Sequence, residues 1–233
     1  MNQSPTTRAP VRCITFDLDD TLWACQPVIL RAEKRFYQWL QAHYPRITEQ
    51  FDPDSLIQHR IGFMRARPEQ MHNLTMLRKR WLATLAASAD YGEELIEPGF
   101  RVFWEARNEV ELFDHVETTL ETLGQRYTIG AISNGNADVS RIGIGHLFDF
   151  SLNSEQVGKA KPHRDIFHRA AQRAGVPIAQ MLHVGDDPQS DVLGALRAGA
   201  QAAWVTQAPQ DWDHAEQPDL IISRIDELLQ ALR

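Results

Sequence analysis

VRCITFDLDDT, residues 11–21, runs from an apolar stretch directly into three aspartates. The apolar part, Val11–Phe16, predicts a buried β-strand. Three carboxylates at the end of a strand are costly unless a partner compensates them. Mg²⁺ is such a partner because it prefers oxygen ligands. Taken alone, the segment is also compatible with an acidic turn that caps the next helix.

Five further apolar runs follow, separated by stretches long enough for helices. They are Tyr127–Ile132, the weaker Phe148–Leu152, Met181–Val184, Ala202–Val205 and Leu220–Ile222. This alternation predicts a parallel sheet with helices on both faces. The expected fold class is therefore α/β, with a doubly wound, Rossmann-like parallel sheet as its core.

One region, from about Pro27 to Val110, shows helical periodicity and no convincing strand. It predicts an inserted α-helical cap domain over residues 25–112, with the core formed by residues 1–24 and 113–233. Hinges are expected where the insert leaves and rejoins the core, at Cys25–Pro27 and Leu112–Asp114. After the insert, Asp114 and Glu117 predict a capping box for the next helix.

Three more polar motifs follow predicted strands. Ser133-Asn134-Gly135 offers a hydroxyl and backbone N–H groups suited to a phosphate oxygen. Lys161 precedes Pro162, which favours an extended backbone and so holds the lysine before the next helix. Gly185-Asp186-Asp187, with Asp191 further on, forms a second carboxylate cluster.

Each motif alone has an ordinary explanation: an Asn-Gly turn, a solvated lysine or an acidic loop. In a doubly wound sheet, however, ligand sites form beyond the carboxyl ends of the strands. The fold would thus bring the four motifs together. A nucleophile, a hydroxyl, a cation and a metal-binding pair in one place indicate a site for a phosphoryl group and Mg²⁺.

The composition narrows the possible partners. The chain has 233 residues, a formal net charge of -7 and two cysteines, Cys13 and Cys25. An acidic surface argues against nucleic-acid binding, so an anionic substrate must be attracted by a local positive site. The cysteines need no disulfide framework, and no signal peptide or membrane span is visible. We therefore expect a cytoplasmic protein with no membrane partner, and the sequence does not indicate an oligomeric state.

The motifs ITFDLDDTL, AISNGN, KPHRDIF and HVGDDPQSDVLGA resemble the haloacid dehalogenase superfamily of hydrolases. The resemblance extends from about Val11 to Leu232, and the helical insert is similar to the type 1 cap of that superfamily. One departure is Asp20, where many relatives carry glycine. Aspartate tolerates unusual turn conformations, so the loop should still form. Lys161 matches the superfamily pattern better than its neighbour Lys159.

The resemblance implies a role for each matching residue. Asp17 would be the nucleophile and a Mg²⁺ ligand, Asp19 the acid/base with its carbonyl on the metal, and Asp186 a further metal ligand. Ser133 and Asn134 would bind the phosphoryl oxygens, and Lys161 would bridge Asp17 and the phosphoryl group. Thr21 would support the first loop. Asp191, together with Asp187, would orient metal-bound water.

The expected function is a Mg²⁺-dependent phosphatase that acts on a small phosphorylated metabolite through an aspartyl-phosphate. Three alternatives stay open: a 2-haloacid dehalogenase, a phosphomutase and a catalytically silent binding protein. Dehalogenases of the superfamily lack an acid two residues after the nucleophile, so Asp19 favours the phosphatase. A phosphomutase would share the core residues, and only the cap would distinguish it.

The first and last motifs are also similar to bacterial flavin mononucleotide phosphatases, which act on the phosphorylated ribitylaminouracil precursor of riboflavin as well. A flat ring would need an apolar surface, for which the candidates are Trp23, Phe63, Trp81 and Trp104. The arginines that could meet a polar substrate end are Arg60, Arg65 and Arg67. Core packing of the aromatics, favoured for Trp81 and Trp104, and a solvated arginine face are the alternatives.

Overall fold

The computed structural model describes residues 9–207 and 212–232. Within them, six strands form one parallel sheet in the order β3-β2-β1-β4-β5-β6. The strands are β1 (Cys13–Phe16), β2 (Thr128–Ser133), β3 (Phe150–Asn153), β4 (Met181–Gly185), β5 (Gln201–Val205) and β6 (Leu220–Ile222). Every apolar run that predicted a strand is confirmed, and so is the α/β fold class.

The central strand β1 explains where the site lies. All four of its residues are buried, because β2 and β4 flank it and helices cover both faces. In the register of the sheet, Phe16 pairs with Ala131 on one side and Val184 on the other. The loops after these strands therefore leave from the same edge. Asp17 begins the first loop, and its backbone N–H donates to Val184 O at 2.8 Å.

Helices fill the segments between the strands. The α-helices are α1 (Cys25–His43), α2 (Pro45–Thr48), α3 (Pro53–Arg65), α4 (Leu74–Ser88), α5 (Ile96–Arg107), α6 (Val116–Gly124), α7 (Val139–Ile142), α8 (Ser154–Val157), α9 (Arg164–Ala174), α10 (Gly194–Ala198) and α11 (Leu228–Ala231). Short 3₁₀ turns lie at Pro68–Gln70, Glu93–Leu95, Gly145–Leu147, Ile178–Gln180 and Ile225–Glu227, and a π-helical turn at Pro188–Leu193. None of the helices in the described ranges has the length and apolar character needed to cross a bilayer.

Apolar side chains fill a layer on each face of the sheet. On one face Ile14 and Phe16 pack with Leu120 of α6. On the other, Cys13 packs with Ile166 and Phe167 of α9. Burying one such side chain contributes about 1.5–3 kcal/mol, so these two layers fix the strand ends that carry the site.

Helices α1 to α5 lie between β1 and β2 and have an apolar cluster of their own. Phe36 of α1 and Trp81 of α4 lie inside it, with ring centroids 5.9 Å apart. The two connecting segments run side by side: Trp23 forms a bridge with Leu112, and Phe113 N donates to Leu22 O at 2.9 Å. The domain boundaries at residues 25 and 112 and the hinges remain predictions.

Helix ends show one agreement and one correction. Helix α9 ends at Gly175, whose φ of 68° is the left-handed conformation that favours glycine at this position. The capping box predicted at Asp114 is wrong. The residue before α6 is His115, with φ 66° and no side-chain cap. Glu117 is then only the second helical residue, one position too early to complete a capping box.

Candidate active site

The loops at the carboxyl edge of the sheet bring Asp17, Lys161 and Asp191 into contact. Asp17 directly follows β1, and only 8 % of it is exposed. The Nζ of Lys161 donates to Asp17 Oδ1, lies 2.7 Å from Asp191 Oδ1, and donates to Ile132 O at 2.8 Å. Three residues from separate predicted motifs are therefore neighbours.

Burial couples the charges of these three groups. It raises the pKa of Asp17 above its ordinary value, although Lys161 opposes that shift. Burial alone would raise the pKa of Asp191 as well, but Lys161 and His183 hold it well below its usual range. Burial would lower the pKa of Lys161, but the two carboxylates keep it above its ordinary value. Lys161 is therefore cationic, and the combined effect of burial and neighbouring charges disfavours the charged form of Asp17 but not that of Asp191.

A candidate metal centre lies beside Lys161. Asp17, Asp186 and Asp191 each offer a carboxylate oxygen, and these atoms all lie within 4.8 Å of one another. Burial first, and Asp191 second, raises the pKa of Asp186 to about 6. A divalent cation would relieve this crowding of negative charge, and an all-oxygen donor set is the type that Mg²⁺ prefers. The residues present therefore fit Mg²⁺.

His183, which sequence reasoning missed, holds Asp191 in place, and Gly185 of the fourth motif leaves room for its carboxylate. His183 of β4 is buried, with Nε2 3.2 Å from Asp191 Oδ1 and Nδ1 2.9 Å from Thr15 Oγ1. Burial lowers the pKa of His183, so the neutral ring donates from Nε2 to the carboxylate and accepts the Thr15 hydroxyl proton at Nδ1. A Cβ on Gly185 would collide with the Asp191 carboxylate. The sequence feature that could have revealed His183 is the presence of a histidine inside the apolar run MLHV.

Asp19 lies at the boundary between helices α1 to α5, which we call the cap helices, and the sheet with its flanking helices, which we call the core. Trp23 Nε1 donates to Asp19 Oδ1 at 2.9 Å, and Arg107 Nη2 donates to Asp19 Oδ2. Arg107 is at the end of α5, and only 3 % of it is exposed. Sequence reasoning missed Arg107, because nothing in the local pattern separates it from the other arginines of the insert. Both oxygens of Asp19 are thus positioned, one from each side of that boundary.

The first loop is tied to the fourth motif. Asp20 has φ 58°, a left-handed conformation, and its Oδ1 accepts from Cys25 N at 2.9 Å. This agrees with the expectation that aspartate can replace glycine here. Thr21 Oγ1 donates to Asp186 Oδ1 at 3.1 Å, so Thr21 fixes Asp186 in addition to its own loop.

The second motif lies between Asp19 and Lys161. Ser133 Oγ accepts from Gly135 N at 2.9 Å, and a Cβ on Gly135 would lie 3.0 Å from Asp19 Oδ2. Asn134 Oδ1 accepts from Lys161 N at 2.7 Å, while Asn134 Nδ2 donates to Lys161 O at 2.9 Å. The amide of Asn134 therefore clamps the backbone of Lys161. Contact between Asn134 and the phosphoryl group, which the family resemblance implies, stays a prediction.

Asp187 differs from its neighbour Asp186. Its Oδ1 accepts from Gln189 N at 2.9 Å and from Ser190 N at 2.6 Å, which caps the π-helical turn. Its contacts with Asp191 are made by the main chain: Asp187 N donates to Asp191 Oδ2 at 3.1 Å, and Asp187 O accepts from Asp191 N at 3.0 Å. Asp187 thus reaches the carboxylate group through its main chain, while its side chain stabilises the turn that carries Asp191.

The aromatic residues that could contact a flat ring differ in how deeply they are buried. Trp23 and Trp81 are completely buried, and Trp81 Nε1 donates to His59 Nδ1 at 3.0 Å, so neither offers a surface to a flat ring. The prediction of core packing is confirmed for Trp81. It is not met by Trp104, which is only half-buried and whose Nε1 donates to Asn136 O at 2.9 Å. Phe63 is covered by the guanidinium of Arg67.

The arginine candidates lie in different surroundings. Arg60 Nε lies 3.1 Å from Glu33 Oε1, and the same carboxylate oxygen accepts from Arg78 Nη2. Arg65 is exposed, as a solvated helix face predicts. Arg67 Nη1 donates to Phe63 O at 2.9 Å, within its own helical segment. Of the three predicted arginines, only Arg60 takes part in a buried charge cluster.

Comparison with known protein families shows which family this chain belongs to. Residues 11–199 match the haloacid dehalogenase-like hydrolase family. This chain belongs to that family. The match covers strands β1 to β4, helices α1 to α5 and the four motifs that form the site.

Relatives from bacteria show the type of reaction. The chain is 34 % identical over 223 residues to a 5-amino-6-(5-phospho-D-ribitylamino)uracil phosphatase from Escherichia coli, covering 92 % of this chain and 93 % of the relative. It is 32 % identical over 156 residues to a phosphoserine phosphatase from Thermus thermophilus, covering 64 % and 61 %. Like these two relatives, this member of the haloacid dehalogenase-like hydrolases is a phosphoric monoester hydrolase.

A solved structure shows the same fold in detail. The chain superimposes with a TM-score of 0.89 and 35 % identity on a protein from Pseudomonas syringae described as a 2-haloacid dehalogenase, covering 95 % and 98 % of the two chains. A HAD phosphatase from Thermococcus onnurineus, at 21 % identity and a TM-score of 0.65, shares the fold. Solved structures with this fold are thus described both as dehalogenases and as phosphatases.

Proposed function

We propose that this protein hydrolyses a phosphomonoester of the riboflavin pathway, with Mg²⁺ bound and with Asp17 as the nucleophile. The observation that carries the proposal is the position of Asp17. Its carboxylate touches the Lys161 ammonium and belongs to an oxygen cluster with Asp186 and Asp191, while a second acid, Asp19, is held separately nearby. A nucleophile, a cation, a metal centre and a separate acid are the parts that phosphoryl transfer requires.

Asp17 would attack phosphorus in line and form an acyl phosphate as the alcohol leaves. The Lys161 ammonium beside Asp17 would offset the repulsion between this carboxylate and the anionic substrate. Asn134 supports the attack indirectly, because it fixes the backbone of Lys161 on both sides of that residue. Ser133 Oγ, which accepts from Gly135 N, would donate its proton to a phosphoryl oxygen.

Asp19 would give its proton to the leaving oxygen and then take one from the attacking water. Trp23 and Arg107 hold the two oxygens of Asp19, so its carboxyl cannot turn away from the boundary between cap and core. Bound at Asp17, Asp186 and Asp191, Mg²⁺ would supply positive charge to the phosphoryl oxygens. Closure of the cap over the site would keep water out until the acyl phosphate has formed.

The substrate proposal is supported by the Escherichia coli relative and by a groove. The groove, of about 520 Å³, lies between the cap and the core. Phe100 and Trp104 line its cap side as a stacked pair, with ring centroids 6.5 Å apart and an angle of 19° between the ring planes. Asn136 lines both this groove and a smaller cavity beside Asp19. A phosphoribityl chain that passes Asn136 would bring a uracil or flavin ring onto Trp104.

A substrate panel tests this proposal. With Mg²⁺ present, kcat/KM should be higher for 5-amino-6-(5-phospho-D-ribitylamino)uracil and flavin mononucleotide than for phosphoserine and glycerol phosphate. Trp104→Leu should lower kcat/KM for the two ring-bearing substrates more than for glycerol phosphate. Equal kcat/KM values across the panel would refute the proposed substrate but not the proposed phosphatase activity.

Dehalogenation is the second candidate, because the Pseudomonas syringae structure carries that description. A halide leaves without a proton, so that reaction gives no role to the positioned carboxyl of Asp19. Release of chloride from 2-chloropropionate in EDTA, without phosphatase activity in Mg²⁺, would reverse the choice.

A further inference from the structure

A cavity of about 180 Å³ lies beside Asp19, between the cap and the core. We propose that it is the subsite for the leaving alcohol, in which Arg78 and Arg107 donate hydrogen bonds to acceptor oxygens on the carbon chain next to the phosphoryl group. This inference rests on the proposed phosphatase activity and adds to it a substrate class: phosphomonoesters whose carbon chain carries further oxygens close to the phosphoryl group.

The main observation is a pair of donors without acceptors. Arg78 and Arg107 both line the cavity, and only 3 % of each is exposed. In each, the Nη1 is buried and has no hydrogen-bond partner among the described residues. Buried polar atoms are nearly always paired, so two unpaired N–H groups at one cavity indicate an occupant that accepts hydrogen bonds.

The Nη2 atom of each guanidinium group is already engaged. Arg78 Nη2 donates to Glu33 Oε1, and its guanidinium lies over the Phe103 ring. Arg107 Nη2 donates to Asp19 Oδ2. The two forks are therefore fixed before a substrate arrives, which lowers the entropic cost of binding.

The lining of the cavity also fits a carbon chain with oxygens. Its apolar side chains are Ile29, Met64, Leu74 and Phe103. Three guanidinium groups, on Arg60, Arg78 and Arg107, face two carboxylates, on Glu33 and Asp19, so the charged groups of the lining leave an excess of positive charge. Hydroxyl and carboxylate oxygens share the required acceptor chemistry.

The size of the cavity limits what can enter. At about 30 Å³ for each water-sized atom, it holds about six non-hydrogen atoms. That matches the size of a three-carbon chain with three oxygens. Asp19, the proposed donor to the leaving oxygen, lies at the same cavity, so the chain directly bonded to that oxygen is the part that would occupy it.

The test compares three esters of similar length on the purified wild-type protein: glycerol 3-phosphate, 3-phosphoglycerate and propyl phosphate. We expect kcat/KM for at least one oxygen-bearing ester to exceed that for propyl phosphate by about tenfold or more, since a site built for hydrogen bonds discriminates against analogues that lack them. The preferred ester shows whether the subsite recognises hydroxyl or carboxylate oxygens. Equal values for all three would overturn the subsite alone, and no hydrolysis of any ester would overturn the phosphatase proposal with it.

Variants test the residues. Glu33→Gln combined with Arg78→Met removes the donor without leaving its carboxylate partner charged, and the kcat/KM ratio should fall to near one. Arg78→Lys keeps the charge but loses the fork, and should lower the ratio too. Arg101→Met, an exposed arginine on α5, is the matched control and should keep the wild-type ratio. An unchanged ratio in folded Arg78 variants would overturn the proposal, and the wild-type comparison decides the matter if a variant does not fold.

Discussion

The ammonium group of Lys161 donates to the carboxylate of Asp17, across 144 residues of sequence. Asp191 lies on the same ammonium, so one lysine balances two buried carboxylates. This shared contact makes Lys161 important both for stability and for phosphoryl transfer, because the removal of one partner leaves uncompensated buried charge.

We therefore expect Lys161→Met to abolish turnover and to lower the free energy of unfolding by about 3–5 kcal/mol in the absence of metal. Urea unfolding and steady-state kinetics measure the two effects. Lys159→Met is the control, since Lys159 is a nearby lysine with an exposed side chain. Comparable losses in both variants would contradict the assignment of Lys161.

The metal centre predicts a difference between two adjacent aspartates. Mg²⁺ should raise the melting temperature of the wild-type protein, because a ligand that binds only the folded state stabilises it. Asp186→Asn should greatly reduce that rise, whereas Asp187→Asn, which keeps an oxygen for the helix cap, should retain it. Excess EDTA should stop turnover, and Mg²⁺ should restore it. Full activity in EDTA would remove the metal from the proposed mechanism.

Asp19 predicts a dependence on the leaving group. Asp19→Asn cannot protonate the departing oxygen, so hydrolysis of an alkyl phosphate should fall by about 10²–10⁴-fold. Formation of the acyl phosphate from p-nitrophenyl phosphate should fall much less, because nitrophenolate leaves without a proton. Pre-steady-state measurement of nitrophenolate release separates this step from the later attack of water. An equal loss with both esters would argue against an acid role for Asp19.

Cys25 predicts slow labelling by thiol reagents. Both cysteines are free thiols, and burial, with Asp19 second, raises the pKa of the Cys25 thiol to about 12. Because the thiolate is the reactive form, iodoacetamide should react slowly at pH 8, and the rate should rise about tenfold for each pH unit up to 10. Cys25→Ser should remove most of the labelling, since Cys13 is completely buried. Fast labelling at pH 7 would contradict the raised pKa.

Much of the fold and part of the site could be predicted from the sequence. Parallel strands buried on both faces are continuous apolar runs, so all six strands were visible, and topology alone then brings Asp17, Lys161 and Asp191 together. Arg107 could not be found in this way. It acts on Asp19 from 88 residues away, and such a contact between cap and core leaves no local pattern.

The side chain of Asn134 shows a second limit. Its motif indicates a polar turn at a strand end, but whether the amide faces a ligand or the backbone depends on the position of the loop that carries Lys161. Trp23 is similar, because its burial beneath Asp19 depends on how the first loop folds back. Sequence patterns predict which residues gather at the site, and the tertiary contacts decide which atoms each one presents.

The most direct test of the central claim is to trap the covalent intermediate. The protein is mixed with substrate and Mg²⁺, quenched in acid during the first turnover, digested and mapped by mass spectrometry. We predict one phosphoryl group on the peptide that contains Asp17, lost on treatment with hydroxylamine as an acyl phosphate is, and absent from Asp17→Asn. A phosphoryl group on another residue, or undiminished turnover by Asp17→Asn, would contradict nucleophilic catalysis by Asp17.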